Sequence, residues 1–179
     1  MADRLLHGGR RELEALFDEL ADELRVLDAS LEILMVGGSW LLWFDERQAT
    51  RDVDSASQIS TEAAQAVARV AERHDIDADW VNSKAAAFLP HDLEPSSWTT
   101  VFERDVLTVQ TPPPETIFLM KLNRAGPQDR EDMILLWKRC AFSGPEEVVQ
   151  RFATGYPHAP EDPHLARYVE GIIGDATEP

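Results

Sequence analysis

The chain has 179 residues, 44% of them hydrophobic, which suffices for a single domain with an ordinary core. Its 33 acidic residues against 17 basic ones leave a net charge of −16, a balance that argues against broad, nonspecific nucleic-acid binding but leaves room for a local basic patch. No apolar run approaches the ~20 residues needed to cross a bilayer, and the one cysteine, Cys140, excludes an internal disulfide, so a cytoplasmic protein is expected.

Met1-Ala2-Asp3-Arg4 leads into a charged amphipathic helix and not a signal peptide. Leu13, Leu16, Phe17, Leu20, Leu24 and Leu27 recur at spacings of three and four, the period of a helix with one apolar face. Leu31 to Val36 is a short apolar run of strand length, broken by Gly37-Gly38-Ser39. Trp40 to Phe44 then predicts a short buried helix, and Val53 between Asp52 and Asp54 predicts a second strand. Ser60 is placed to cap a helix from Thr61 to about His74. Trp80-Val81 and Phe88-Leu89 are strand-like patches. Val101-Phe102 and Val106 to Val109 predict a hairpin turning at Glu103-Arg104-Asp105.

Pro112-Pro113-Pro114 ends that hairpin and opens a helix that stops at Gly126-Pro127. A helix from about Gln128 to Cys140 follows, then one opened by Gly144-Pro145 and a last one from Pro163 to Ile173. The tail from Asp175 to Pro179 is expected to be disordered. The mixture of elements predicts an α/β (α+β) fold over residues 1–179 as one domain. A mixed sheet core at 31–111 is flanked by helices, and 112–174 forms a helical C-terminal part.

Two features carry chemistry. Asp52 and Asp54 are two apart on a strand and so point to one side, where their charges repel. A hard cation such as Mg²⁺ relieves that repulsion, since it takes one or two carboxylates and completes its shell with phosphate oxygens. Gly37, Gly38 and Ser39 follow a buried strand and open a helix, 13 residues ahead of Asp52. Glycine lets a backbone approach phosphate closely, and the Ser39 hydroxyl is a candidate donor to it. A solvated strand end and a plain strand-to-helix turn are the bland alternatives. The five histidines show no paired metal spacing, and Cys140 reads as core beside Trp137. Asn82, after the apolar Trp80-Val81, is a lesser candidate for facing a cleft.

The order strand, Gly-Gly-Ser, helix, strand, Asp-x-Asp, from Ile33 to Trp40 and from Thr50 to Ser55, resembles the signature of the polymerase-β-like nucleotidyltransferase superfamily. A second stretch, Pro114 to Arg124 and then Gln128-Asp129-Arg130-Glu131-Asp132, is similar to the second motif of the AbiEii-type toxin nucleotidyltransferases and their bacterial relatives. The resemblance spans about Leu31 to Trp137. It implies transfer of a nucleotide from an NTP to an acceptor hydroxyl, with Asp52 and Asp54 binding Mg²⁺ (or Mn²⁺). It also implies that Gly37, Gly38, Ser39, Arg51 and Arg124 bind the nucleotide, that Lys121 acts on the triphosphate as a catalytic cation, and that Asp129 and Asp132 support it.

The acceptor classes it implies are RNA, as in toxin relatives that modify transfer RNA, a protein or a small molecule, and an antitoxin is an implied partner. It further implies a third metal-binding carboxylate on a later strand, for which Glu103 and Asp105 are the candidates. A charged amine on the apolar helix around Lys121 needs an anionic partner such as Asp54 or Asp132. The alternative reading is a noncatalytic binding or interaction module that keeps the fold.

Overall fold

The computed structural model describes residues 5–178; the opening Met1-Ala2-Asp3-Arg4 and the final Pro179 lie outside them. The chain divides into two compact units, Met1–Ala87 with Trp98–Pro112, and Phe88–Ser97 with Pro113–Pro179. The fold is mixed α/β, with a five-stranded mixed sheet in the first unit and a helical C-terminal part in the second.

In the first unit the strands β1 (Leu31–Val36), β2 (Val53–Ser55), β3 (Val81–Asn82), β4 (Thr99–Arg104) and β5 (Leu107–Thr111) lie in the order β3-β2-β1-β5-β4. The strand that reads as a continuous apolar run, β1, takes the centre, antiparallel to β2 and parallel to β5. Such runs suit strands buried on both faces, and only Glu32 of β1 is exposed. Helix α1 (Gly9–Val26) buries Leu13, Leu16, Phe17, Leu20, Ala21 and Leu24, the predicted stripe. Helix α3 (Thr61–His74) starts where Ser60 Oγ accepts the Ala63 N–H at 3.1 Å and ends at Asp75, whose φ is 53°. Phe17 centres the core, with ring centroids 6.1 Å from Trp43, 6.1 Å from Trp80 and 5.6 Å from Phe102.

The structure alters two sequence expectations here. The hairpin turns at Asp105 and Val106, not over Glu103 to Asp105. Arg104 stays in β4 because its guanidinium grips Asp18 and Asp22 of α1, and Asp105 takes the tight turn at φ 48° while pairing with Arg25. The patch at Phe88-Leu89 is not a strand. Phe88 closes a 3₁₀ turn, Lys84–Phe88, which starts where Asn82 Oδ1 accepts the Lys84 N–H and runs through three alanines that carry no β-branch.

The second unit holds α4 (Pro114–Arg124), α5 (Pro127–Trp137), α6 (Pro145–Gly155) and α7 (Leu165–Thr177). The first three each open on proline, whose missing N–H costs nothing in a first turn. Phe118, Trp137 and Phe142 meet at centroid distances of 5.6–6.0 Å. Residues 88–97 belong to this unit. The Tyr156 hydroxyl donates to the Phe88 carbonyl at 2.7 Å, and the His91 N–H donates to the Gly155 carbonyl at 2.8 Å. The tail expected to be disordered is helical as far as Thr177: Ala176 is buried, and Arg130 holds Asp175 at 2.6 Å. No helix among the described residues is long and apolar enough to cross a membrane.

Candidate active site

At the C-terminal end of β1 the chain turns through Gly37 and Gly38 into α2 (Gly37–Trp43). Both glycines are required by close approach. Gly37 has φ +67°, and a β-carbon there would stand 2.7 Å from Asp54 Oδ2. At Gly38 a β-carbon would meet Thr50 Oγ1 at 2.9 Å and an Arg47 guanidinium nitrogen at 3.0 Å. One glycine therefore lies under a carboxylate, the next under a hydroxyl and a cation. Ser39 is fully buried, and its hydroxyl donates to the Val36 carbonyl at 2.8 Å. The loop that carries Arg47, Thr50 and Arg51 is pinned by a two-way bridge, Leu6 N–H to the Thr50 carbonyl at 2.8 Å and Thr50 N–H to the Leu6 carbonyl at 3.1 Å. Arg51 is exposed just ahead of Asp52.

Strand β2 delivers the aspartates. Asp54 is in register with Val36 on one side and with Asn82 on the other. Asp52, at the mouth of β2, accepts a hydrogen bond from Asn82 Nδ2 at 3.0 Å. Burial and then the charge of Asp54 push the Asp52 carboxyl above the usual range for aspartate, against the pull of Lys84 and the Asn82 hydrogen bond. None of the ion pairs among the described residues involves Asp52 or Asp54; the nearby Lys84 amine instead bonds Asp79 at 2.8 Å, at the surface.

This donor set fits a hard divalent cation in one respect: two half-buried carboxylates repel each other, and neither is in an ion pair among the described residues. It stops at two. Among the described residues no group of three His, Cys, Asp or Glu side chains is gathered closely enough to hold a metal, so phosphate and water oxygens would have to complete the shell. Of the candidates for a third carboxylate, Glu103 is exposed on the edge strand β4 and Asp105 pairs with Arg25. What β3 brings beside Asp52 is an amide. Asn82 is only a lesser candidate from the sequence, because a two-residue strand has too little pattern to fix its register. Thr50, which lies over Gly38, escapes the sequence for a similar reason, since a loop has no period.

In the second unit Lys121, Arg124, Asp129 and Asp132 form a cluster of their own. The Lys121 side chain, only 8% exposed, donates to Asp129 at 3.0 Å and Asp132 at 2.6 Å. Asp129 also accepts from Arg124 Nε at 2.7 Å, from Arg124 Nη2 at 2.8 Å and from the Gly126 N–H at 2.9 Å, the last of which caps α5. Burial alone would raise the Asp129 carboxyl, but the bonds from Arg124 and Lys121, the Lys121 charge and the backbone N–H outweigh it and hold the carboxyl below its usual value. Two cations face two carboxylates, so the cluster is neutral within itself. Arg124 keeps 58% of its side chain exposed. Cys140 fits the core reading: burial and the Glu115 charge push its thiol far above the range in which a thiolate forms.

No curated protein and no solved structure was found to match the chain. A family model described as "Nucleotidyltransferase of unknown function (DUF6036)" matches residues 11–142, which takes in all but the first two residues of α1, the whole sheet, the glycine turn, both aspartates and the Lys121 cluster. The chain belongs to this nucleotidyltransferase family.

Proposed function

We propose that the protein transfers a nucleotide from an NTP to an acceptor hydroxyl, with a divalent metal at Asp52 and Asp54. The observation that carries this reading is a pair of mutually repelling carboxylates, neither in an ion pair among the described residues, with Asp54 over the Gly37 turn. In such a reaction the acceptor oxygen forms a bond to the α-phosphorus as the bond to the bridging oxygen breaks. The nucleoside monophosphate stays on the acceptor, and pyrophosphate and the hydroxyl proton leave. A bound Mg²⁺ or Mn²⁺ supplies positive charge to the phosphates.

The chain's own parts divide the remaining work. Gly37 and Gly38 let the backbone come close to phosphate, and Ser39 locks the turn from inside through Val36. Arg47 and Arg51 bring positive charge to the same loop. Lys121 and Arg124 are assigned the countercharge of the triphosphate, and Asp129 and Asp132 hold those cations in place. For Lys121 this means exchanging a carboxylate oxygen for a phosphate oxygen. The AbiEii-type relation, a transfer RNA acceptor and an antitoxin partner belong to this reading too. An RNA acceptor requires a local basic patch on a chain of net charge −16, for which Arg47 and Arg51, in the loop ahead of Asp52, are candidates.

The test is incubation with each α-labelled NTP, Mg²⁺ and total RNA or lysate. Label should pass to an acceptor, and a chelator should stop it. Label confined to RNA, with affinity falling steeply as salt rises, supports the RNA acceptor. A second reading, a noncatalytic module, is favoured by the two-carboxylate donor set, and it predicts no transfer to any acceptor under the same conditions.

A further inference from the structure

Strand β3 is two residues long, and nothing about so short a strand requires a buried amide at its second position. Asn82 is nevertheless only 7% exposed and opposite Asp54 in register. Its orientation is set by its own hydrogen bonds. Oδ1 accepts the Lys84 N–H at 3.0 Å, which leaves the NH₂ end facing Asp52 Oδ2 at 3.0 Å. An amide turned that way offers donors and no lone pair, so it is suited to hold a carboxylate and not to ligate a cation.

We propose that Asn82 is a positioning residue of the metal site: it ties down one oxygen of Asp52, fixes the carboxylate plane and leaves the other oxygen for an incoming divalent cation. The inference rests on the nucleotidyltransferase reading above. A partner that fixes a metal-binding carboxylate from behind acts on affinity through geometry, and removing such partners typically weakens metal binding about 10–100-fold. The neighbours of Asn82 explain the choice of side chain. Aspartate would set a third negative charge against Asp52, and leucine would strip both Asp52 and the Lys84 N–H of their partner.

Calorimetric titration of Mn²⁺ into the nucleotide-free full chain tests this, with melting temperature measured alongside. Asn82→Leu should bind Mn²⁺ at least about tenfold more weakly than the parent. Asn82→Asp keeps the acceptor for Lys84 and reverses the end facing Asp52. It should melt below the parent without metal and gain more from Mn²⁺ than the parent does; this variant decides the matter if Asn82→Leu does not fold. Parent-like affinity in a folded Asn82→Leu, or an Asn82→Asp variant whose melting temperature and Mn²⁺ response match the parent's, overturns the positioning role. The double variant Asp52→Asn, Asp54→Asn separates the two claims. If it loses Mn²⁺ binding while Asn82→Leu keeps it, only the Asn82 inference fails. If it binds Mn²⁺ as the parent does, or if the parent binds none, the metal reading fails and takes the inference with it.

Discussion

Two aspartate pairs in one chain have opposite electrostatic fates. Asp129 and Asp132, three apart on α5, are met by Lys121 and Arg124 and by the backbone N–H of Gly126. Asp52 and Asp54, two apart at β2, repel each other; Asp52 has a neutral amide and a lesser pull from Lys84, whose amine is bonded to Asp79. Their carboxyl groups shift accordingly, Asp129 downward and Asp52 upward. Carboxylates satisfied by their own chain contribute to the fold. Carboxylates left to repel each other make the fold less stable and are suited to bind something positive that arrives later.

The largest effect on stability should come from breaking the satisfied pair. Lys121→Met removes a buried cation that bonds both Asp129 and Asp132, and breaking a buried pair in this way costs about 3–5 kcal/mol. Urea unfolding measures it. A change within error would mean that Asp129 and Asp132 do not depend on Lys121. Gly37→Ala comes next. It forces alanine to φ +67° and drives its β-carbon to 2.7 Å from Asp54 Oδ2. A loss of about 1–2 kcal/mol is expected, together with weaker Mn²⁺ binding as Asp54 is pushed aside. A variant as stable as the parent would show that the turn is not held as described.

The smallest effect is in pH dependence, where the two pairs should differ in sign. The folded-state value of Asp129 is depressed, so its stabilisation is present above 3.8 and is lost as pH falls through and below that value. The folded-state value of Asp52 is raised, so it favours the folded state in acid and that contribution is lost as pH rises through and above 3.8. Denaturant titrations across this range should show Asp129→Asn less stable than the parent and Asp52→Asn more stable, with both differences shrinking towards acid. The same sign for both variants would remove the contrast.

Much of the first unit was legible because its signals are local. The apolar run of β1, the glycines after it, the Ser60 cap and the alternation through Asp52-Val53-Asp54 each state a backbone geometry within a few residues. The proline-led helices of the second unit were legible for the same reason. What escaped was a set of side-chain contacts, most of them between distant segments and one of them local. Asn82 reaches Asp52 across 30 residues through a register that two residues of β3 cannot announce. The Ser39 hydroxyl was expected to be available to phosphate, but it is spent on Val36, three residues back, a local bond that competes with any ligand. The tail from Asp175 is expected to be disordered as a chain end, but Arg130 from another helix holds Asp175. For Lys121 the need for an anionic partner is readable from its apolar helix, and of the two partners expected Asp132 is found; Asp54 is in no ion pair among the described residues, and Asp129, read only as a supporting carboxylate, takes that place.

The most direct measurement is Mg²⁺-dependent label transfer from an NTP by the parent and by the double variant Asp52→Asn, Asp54→Asn, with the melting temperature of each recorded without metal. Removing the charge proposed to hold the metal should lower the transfer rate by on the order of a hundredfold or more, since metal stabilisation of phosphate charge is worth several kcal/mol and each 1.36 kcal/mol is tenfold. The metal-free melting temperature should stay level or rise as the repulsion is relieved. Transfer at the parent rate by the double variant would contradict the assignment of this site.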